Sequence, residues 1–132
     1  DDAIDFSGST ININNVIINH VEDKGISAGE ISFIYGNDIT IKNSEIGVVS
    51  KDMSYLKINN IQIDSVSVAY AVLQKKEDFG PAKIELSLYK SENYTKEFLI
   101  ENNSIAIINN VLKNSNHHDV YSILYNQSYF TQ

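Results

Sequence analysis

Apolar residues come in short alternating runs along this chain, and the runs are punctuated by asparagine. Ile11-Asn12-Ile13, Val16 to Ile18, Ile39-Thr40-Ile41, Leu56-Lys57-Ile58 and Ile61-Gln62-Ile63 carry this texture. A period of two over a few residues, bounded by Asn, Gly, Ser and Asp, predicts strands with one buried face. Gly36-Asn37-Asp38 and Asn59-Asn60 fall between such runs and predict corners, because Asn and Asp tolerate left-handed backbone. No stretch keeps a helical period over a useful length. The nearest, Val66 to Lys76, contains the continuous apolar run Val68 to Leu73, which predicts a buried strand.

The runs also repeat. Ala3, Gly25, Gly47 and Ala69 stand 22 residues apart, each followed by a residue to be buried: Ile4, Ile26, Val48 and Tyr70. Asn15, Asn37 and Asn59 keep the same spacing, as do Ile17, Ile39 and Ile61. A fixed period of this length predicts a solenoid, in which one coil cannot bury its apolar face without the next. The small residue marks a tight corner, and Asn15, Asn37, Asn59 and its neighbour Asn60 are expected to form a side-chain ladder between coils. The prediction is an all-β parallel β-helix of about 22 residues per coil, with 1–132 as one domain. Residues 1–73 form the regular coils. After Leu73 the echo breaks at the polar loop Lys75 to Pro81, and a second polar loop is expected at Lys90 to Lys96. Strands are expected at Ile84 to Leu88, Phe98 to Ile100, Ile105 to Ile108 and Val120 to Tyr125. Residues 74–132 thus read as irregular coils and a C-terminal cap.

Three blocks carry a resemblance: Asp2 to Ser9 (DAIDFSGS), Asp23 to Glu30 (DKGISAGE) and Ile46 to Asp52 (IGVVSKD), followed by Gln74 to Ala82. With them the chain resembles the bacterial right-handed parallel β-helix repeat proteins of the pectate-lyase-like superfamily. It is similar to β-helix regions of secreted or surface proteins, some of which also carry a spore-coat-H-type kinase domain; no kinase motif is present here. The resemblance implies a bacterial protein, secreted or on the cell surface. It does not select an activity, because that superfamily holds lyases, hydrolases, epimerases, adhesins and inert stalks.

Charge narrows the partners. The net charge is −7, and all ten basic residues are Lys. Phosphate binding needs a basic footprint, so nucleic acid is excluded as a partner. The lack of Arg weakens any reading that needs bidentate clamping of a polyanion. No apolar run is long enough to cross a bilayer as a helix. There is no Cys, hence no disulfide and no thiolate metal site. The chain opens at Asp1-Asp2 in mid-repeat, which suggests a C-terminal fragment of a longer protein.

Several columns could carry chemistry. Asp1, Asp23 and Glu45 share one register, with Asp2 beside Asp1; carboxylates on neighbouring coils can act as acid and base or nucleophile on a glycosidic bond. The "DDAI" start resembles the Asp-Asp element of polygalacturonase-type hydrolases, whose Gly-His-Gly and Arg-Ile-Lys elements have no match here. The same column could hold Ca²⁺, which takes several oxygens from a turn; otherwise no cofactor is expected. A second column, Gly8, Glu30, Asp52 and Gln74, lies near Asp23, Lys24 and Lys51, and these six polar residues are the expected ligand-binding set. A third, Ile11, Phe33 and Tyr55, is expected to face the core; facing outward it would be a platform for sugar rings. His117 and His118 are adjacent, and neighbours on a strand point to opposite faces, so no metal site is expected from them. The leading function is a non-catalytic scaffold or weak carbohydrate- or protein-binding face, with a neutral polysaccharide as ligand. The alternatives are a fragment of a polysaccharide hydrolase or lyase, and a subunit that self-associates through its open strand ends into a fibre.

Overall fold

The computed structural model describes residues 1–125. The strands are β1 (Ile4–Phe6), β2 (Thr10–Ala28), β3 (Phe33–Lys51), β4 (Tyr55–Leu73), β5 (Lys83–Ile100), β6 (Ile105–Ile108) and β7 (Val111–Lys113), followed by α1 (Val120–Tyr125). They form one sheet in chain order, parallel from β1 through β6 and antiparallel between β6 and β7. Long strands stacked directly on their sequence neighbours, with no crossover helix, make a parallel β-solenoid. Each of β2 to β5 is one coil.

The coils bend at left-handed residues that stack in register. One corner is Asn15, Asp38, Asn60 and Leu88, with φ between 54° and 63°; the next is His20, Asn43, Ser65 and Asn93, with φ between 53° and 60°. Seven of these eight are Asn, Asp, Ser or His, and Asn, Asp and His above all tolerate this backbone region. The corners divide the coils into three walls. Wall A holds 10–14, 33–37, 55–59, 83–87 and 105–108. Wall B holds 16–19, 39–42, 61–64 and 89–92. Wall C holds 4–6, 24–28, 46–51, 68–73 and 96–100.

The period is less uniform than the echo suggests. β3 and β4 pair at a step of 22 residues throughout, as in Phe33 with Tyr55. Walls A and B of β2 pair with β3 at a step of 23, as in Thr10 with Phe33, and an irregularity between Val21 and Lys24 restores 22 on wall C. This one-residue slip corrects three expectations. The partner of Asn37 is Asn14, not Asn15; the partner of Ile39 is Val16, not Ile17; and Thr10, not Ile11, heads the column of Phe33 and Tyr55. Ile17 is accordingly 80% exposed. Beyond β4, an insertion at 74–82 lengthens the step to 28, as in Tyr55 with Lys83, after which β5 is a full coil and β6 follows at 22. The expected polar loop Lys90 to Lys96 therefore lies inside β5, because wall B and its corner are polar on the outside here as they are in β3 and β4 (Thr40, Lys42; Gln62, Asp64).

The core runs up the middle of the stack. Ile34, Ile39, Ile41, Leu56, Ile58, Ile61, Ile63, Ile84 and Leu86 are all essentially inaccessible. At the C-terminal end the Tyr70 and Phe98 rings stack at 5.3 Å, with Tyr89 edge-on to both. Gly25 and Gly47 sit where wall C begins. A Cβ on Gly47 would lie 2.6 Å from the Ala69 carbonyl and 2.7 Å from Ile63, and one on Gly25 would lie 2.8 Å from the Gly47 carbonyl. The small residue of the repeat is thus a packing requirement.

Wall C is covered on both sides. Its outer residues Ile46, Val49, Val68, Ala71, Leu73 and Leu99 form a second apolar cluster with Val120 and Leu124 of α1. The expected strand Val120 to Tyr125 is instead this helix. Val120 and Leu124 are its buried pair, four residues apart on one helical face, and Asp119 accepts hydrogen bonds from the Ser122 backbone N–H (3.0 Å) and hydroxyl (2.6 Å) at its start. Of the expected C-terminal cap, residues 126–132 lie outside the described residues.

Candidate functional site

Outward-facing side chains on wall A differ from coil to coil. The first coil shows Thr10, Asn12 and Asn14; the second Phe33, Tyr35 and Asn37; the third Tyr55, Lys57 and Asn59; the fourth Lys83, Glu85 and Ser87. The Phe33 and Tyr55 column therefore faces out, which corrects the expectation that it belongs to the core. The slip in coil one is the reason: with Thr10 at its head, alternation sends Ile34, Leu56 and Ile84 inward instead. The rings of Tyr35 and Tyr55 meet edge-to-face at 6.4 Å, and the Lys83 ammonium lies 4.6 Å from the Tyr55 ring centre. Lys57 and Glu85 pair at 3.4 Å. Burial and then the Glu85 carboxylate raise the Tyr55 phenol above its usual value.

Beside these groups runs a row of amides. The Asn37 amide donates to Asn14 Oδ1 at 3.3 Å, the Asn59 amide donates to Asn37 Oδ1 at 3.4 Å, and the Ser87 hydroxyl donates to Asn59 Oδ1 at 3.0 Å. One residue on, the Asn60 amide donates to Asp38 at 2.6 Å. The ladder between coils is real, but it is exposed, not buried. Tyr35, Asn37, Lys57, Asn59, Glu85 and Ser87 line a groove of about 410 Å³ with a mixed polar and aromatic wall. Such a groove offers a ring face for stacking and fixed amide and hydroxyl groups for hydrogen bonding.

The polar residues singled out from the sequence lie elsewhere, along wall C and its turn, and most are engaged within the chain. Buried Lys24 pairs with Asp23 at 2.8 Å and with Asp2 at 3.7 Å, and the Lys24 backbone N–H donates to Asp2. Asp1 is exposed, and Glu45 accepts from the Ser67 hydroxyl at 3.0 Å. Glu30 accepts from Ser7 and pairs with Lys76, which lowers its pKa; the Lys76 bond is the larger cause. Asp52 is buried, and its carboxylate caps the insertion by accepting the backbone N–H groups of Lys75 (2.7 Å) and Lys76 (2.9 Å). The Gln74 amide donates to the carbonyls of Lys76 and Phe79. Lys51 is half-buried. Burial, then the charges of Lys75 and Lys24, depress its pKa. Lys24 and Lys75 meet over one ring, their ammonium groups 5.3 Å and 4.6 Å from the centre of Tyr125, and Asp2, Asp23 and Asp52 lie near enough to raise the Tyr125 phenol after burial has done so.

Sequence reasoning missed a row of buried serines at the turn from wall C to wall A. The Ser32 backbone N–H donates to Ser54 Oγ, the Ser54 hydroxyl donates to the Gly29 carbonyl, and the Ala82 N–H donates to Ser104 Oγ. The 22-residue spacing from Ser32 to Ser54 was a visible signal, whereas Ser104 follows an Ala at the corresponding position 82. They satisfy backbone groups where the chain leaves one wall for the next. Among the described residues no three His, Cys, Asp or Glu side chains converge as a metal-binding group. His117 bridges to Glu101 through its backbone, and His118 is exposed.

No family model, no curated protein and no solved structure matches this chain, and what its sequence and geometry together establish is a parallel β-solenoid with stacked coils about 22 residues apart.

Proposed function

We propose that this chain is a non-catalytic parallel β-helix segment whose wall A is a shallow binding face for an extended neutral polysaccharide. The observation that carries the reading is Tyr35, 40% exposed at a groove floored by the Asn37, Asn59 and Ser87 row. An exposed ring beside amides and a hydroxyl matches a sugar, which presents an apolar ring face and equatorial hydroxyls. The side groups recur about every 4.8 Å up the wall, a spacing that suits a polymer better than an isolated small molecule. The one charged couple in the groove, Lys57 and Glu85, is internally neutralised, which supports a neutral ligand over a polyanion. Affinity is weak on this reading, because a shallow face buries little.

The β-solenoid supports the further proposal that the chain is of the pectate-lyase-like type, part of a secreted or surface-exposed bacterial protein. The hydrolase or lyase alternative rests on Asp1, Asp2, Asp23 and Glu45. It is less favoured because Asp2 and Asp23 share Lys24 and Glu45 is bonded to Ser67.

A glycan array followed by Tyr35→Ala and Asn59→Ala tests the binding face. Binding to neutral glycans, lost by at least about tenfold on Tyr35→Ala with the fold unchanged, supports it; tenfold corresponds to 1.4 kcal/mol. No binding, or binding that both changes leave intact, overturns it.

A further inference from the structure

Charge is distributed unevenly around the coils. The chain as a whole carries −7. Yet the outward positions of wall A, from Thr10 up to Ser87, hold two ammonium groups, Lys57 and Lys83, against one carboxylate, Glu85. The carboxylates of Asp2, Asp23, Glu30 and Asp52 lie on wall C and its turn, and Asp38, at the corner of walls A and B, is engaged with Asn60. Wall A is therefore a slightly basic face on an acidic molecule. Without its carboxylate such a face would draw in anions, because the local field governs what approaches a groove, whatever the net charge.

Glu85 stands against that tendency. It lies on β5 directly above Lys57 of β4, lines the groove, and meets the Lys57 ammonium at 3.4 Å. The Glu85 side chain is 24% exposed and that of Lys57 58%, so the carboxylate lies deeper and the ammonium reaches over it. The Glu85 charge also acts on the Tyr55 phenol, and Lys83 is held 4.6 Å from the centre of that same ring. Glu85 thus stands among the cationic and aromatic groups of the groove, and an anion drawn to either lysine meets its charge as well. An exposed ion pair of this kind contributes little to folding. Its consequence is for what the groove admits.

We propose that Glu85 is the specificity-determining residue of the wall A groove: it excludes uronate-bearing glycans by occupying Lys57 and repelling their carboxylates. This role rests on wall A being a glycan face. A uronate sugar keeps the ring face and ring hydroxyls of its neutral counterpart and adds a carboxylate, so Tyr35, Asn37 and Asn59 meet both alike. Discrimination then falls to charge, and repulsion of the wrong ligand is a general route to specificity. Replacing Glu85 by Gln keeps the shape of the side chain and its hydrogen-bonding oxygen. It leaves Lys57 and Lys83 with no carboxylate in the groove, and the preference turns toward acidic glycans.

The test is an array of neutral oligosaccharides printed beside their C6-oxidised, uronate-bearing forms and probed with the whole chain. The quantity read is the ratio of uronate to neutral binding on each backbone. Wild type favours the neutral forms. Glu85→Gln raises the ratio at least about tenfold at low salt, and the gain shrinks as salt screens the lysines. Adding Lys57→Gln to that variant removes most of the gain. Lys57→Gln alone leaves Glu85 unpaired and lowers the ratio at least about threefold, a result that does not depend on how the Glu85 variant folds. If wild type binds no neutral glycan, the proposal falls together with the reading of wall A. If wild type binds neutral glycans but either single variant leaves the ratio unshifted, or the Glu85→Gln gain survives Lys57→Gln undiminished, Glu85 does not set specificity and this proposal alone is overturned.

Discussion

Wall A and wall C are built from the same coils and differ in what lies outside them. Wall A is buried on one side only. Its residues alternate strictly, with Ile34, Gly36, Leu56 and Ile58 inside and Phe33, Tyr35, Asn37, Lys57 and Asn59 outside. Wall C is buried on both sides, by the core within and by α1 without, so Val68 to Leu73 is apolar at every position. Of these two walls, the one with a free face carries the varied chemistry, because its outward residues can change without breaking a packing contact. The doubly covered wall is held by packing and tolerates little.

The sharpest way to break that contrast is to add one methyl group to each wall. Gly47→Ala on wall C would set a Cβ against the Ala69 carbonyl and Ile63. Backbone cannot move aside cheaply, and a loss of about 2–3 kcal/mol in urea unfolding is expected. Gly36→Ala on wall A would meet only the far end of the Ile39 side chain at 2.7 Å. A rotamer change relieves that, and a cost below about 1 kcal/mol is expected. Equal costs would mean that the two walls are packed alike.

Next in size is the outer cover. Leu124 is 5% exposed and packs on wall C from α1. Leu124→Ala should cost about 2 kcal/mol if the helix stays docked. If it undocks, the outer apolar residues of wall C become accessible and the chain binds a hydrophobic dye. An unchanged unfolding midpoint with no dye binding would show that α1 contributes nothing to wall C.

Asn37→Leu is the corresponding test on wall A. Asn37 is exposed and sits mid-ladder between Asn14 and Asn59. Exposed side-chain bonds exchange with water at little net gain, and the backbone groups of this corner do not depend on them. A cost below about 1 kcal/mol is expected, smaller than a buried ladder would give. A loss above about 2 kcal/mol would mean that the ladder holds the corner.

The contrast also explains what could be read in advance. The repeat, the parallel stack and the buried run Val68 to Leu73 were legible because small residues at Gly25, Gly47 and Ala69 keep their spacing wherever packing forbids anything larger. The outward columns were misassigned because nothing at Thr10 or Ile11 reveals the one-residue slip. Both Ile11 and Ile17 are apolar, yet one points in and the other out. A slip of one residue exchanges the faces of a strand, so Phe33 and Tyr55 were placed in the core and the wall A groove was missed. The helix α1 was hidden for another reason. Six residues are too few to establish a period, and its buried pair Val120 and Leu124 has meaning only against the outside of wall C.

Lys51 supplies the smallest effect and one with a distinctive sign. It lies at the end of wall C, half-buried, and its pKa is lowered first by burial and then by Lys75 and Lys24. Between that lowered value and the unfolded value of 10.5, the unfolded chain holds more protons than the folded one, so this group's contribution to stability rises with pH across that window. Below the window both states are protonated and the destabilisation is present in full. Lys51→Met removes the buried charge and keeps the stem, so it should stabilise the protein at neutral pH by less than about 1 kcal/mol. The gain should shrink as pH rises through the window. Tyr70 acts in the opposite sense above pH 10, because burial keeps its phenol neutral when folded, so the informative quantity is the difference between wild type and variant at each pH. A variant less stable than wild type at pH 7, or a difference that does not change with pH, would show that Lys51 has a favourable partner on wall C.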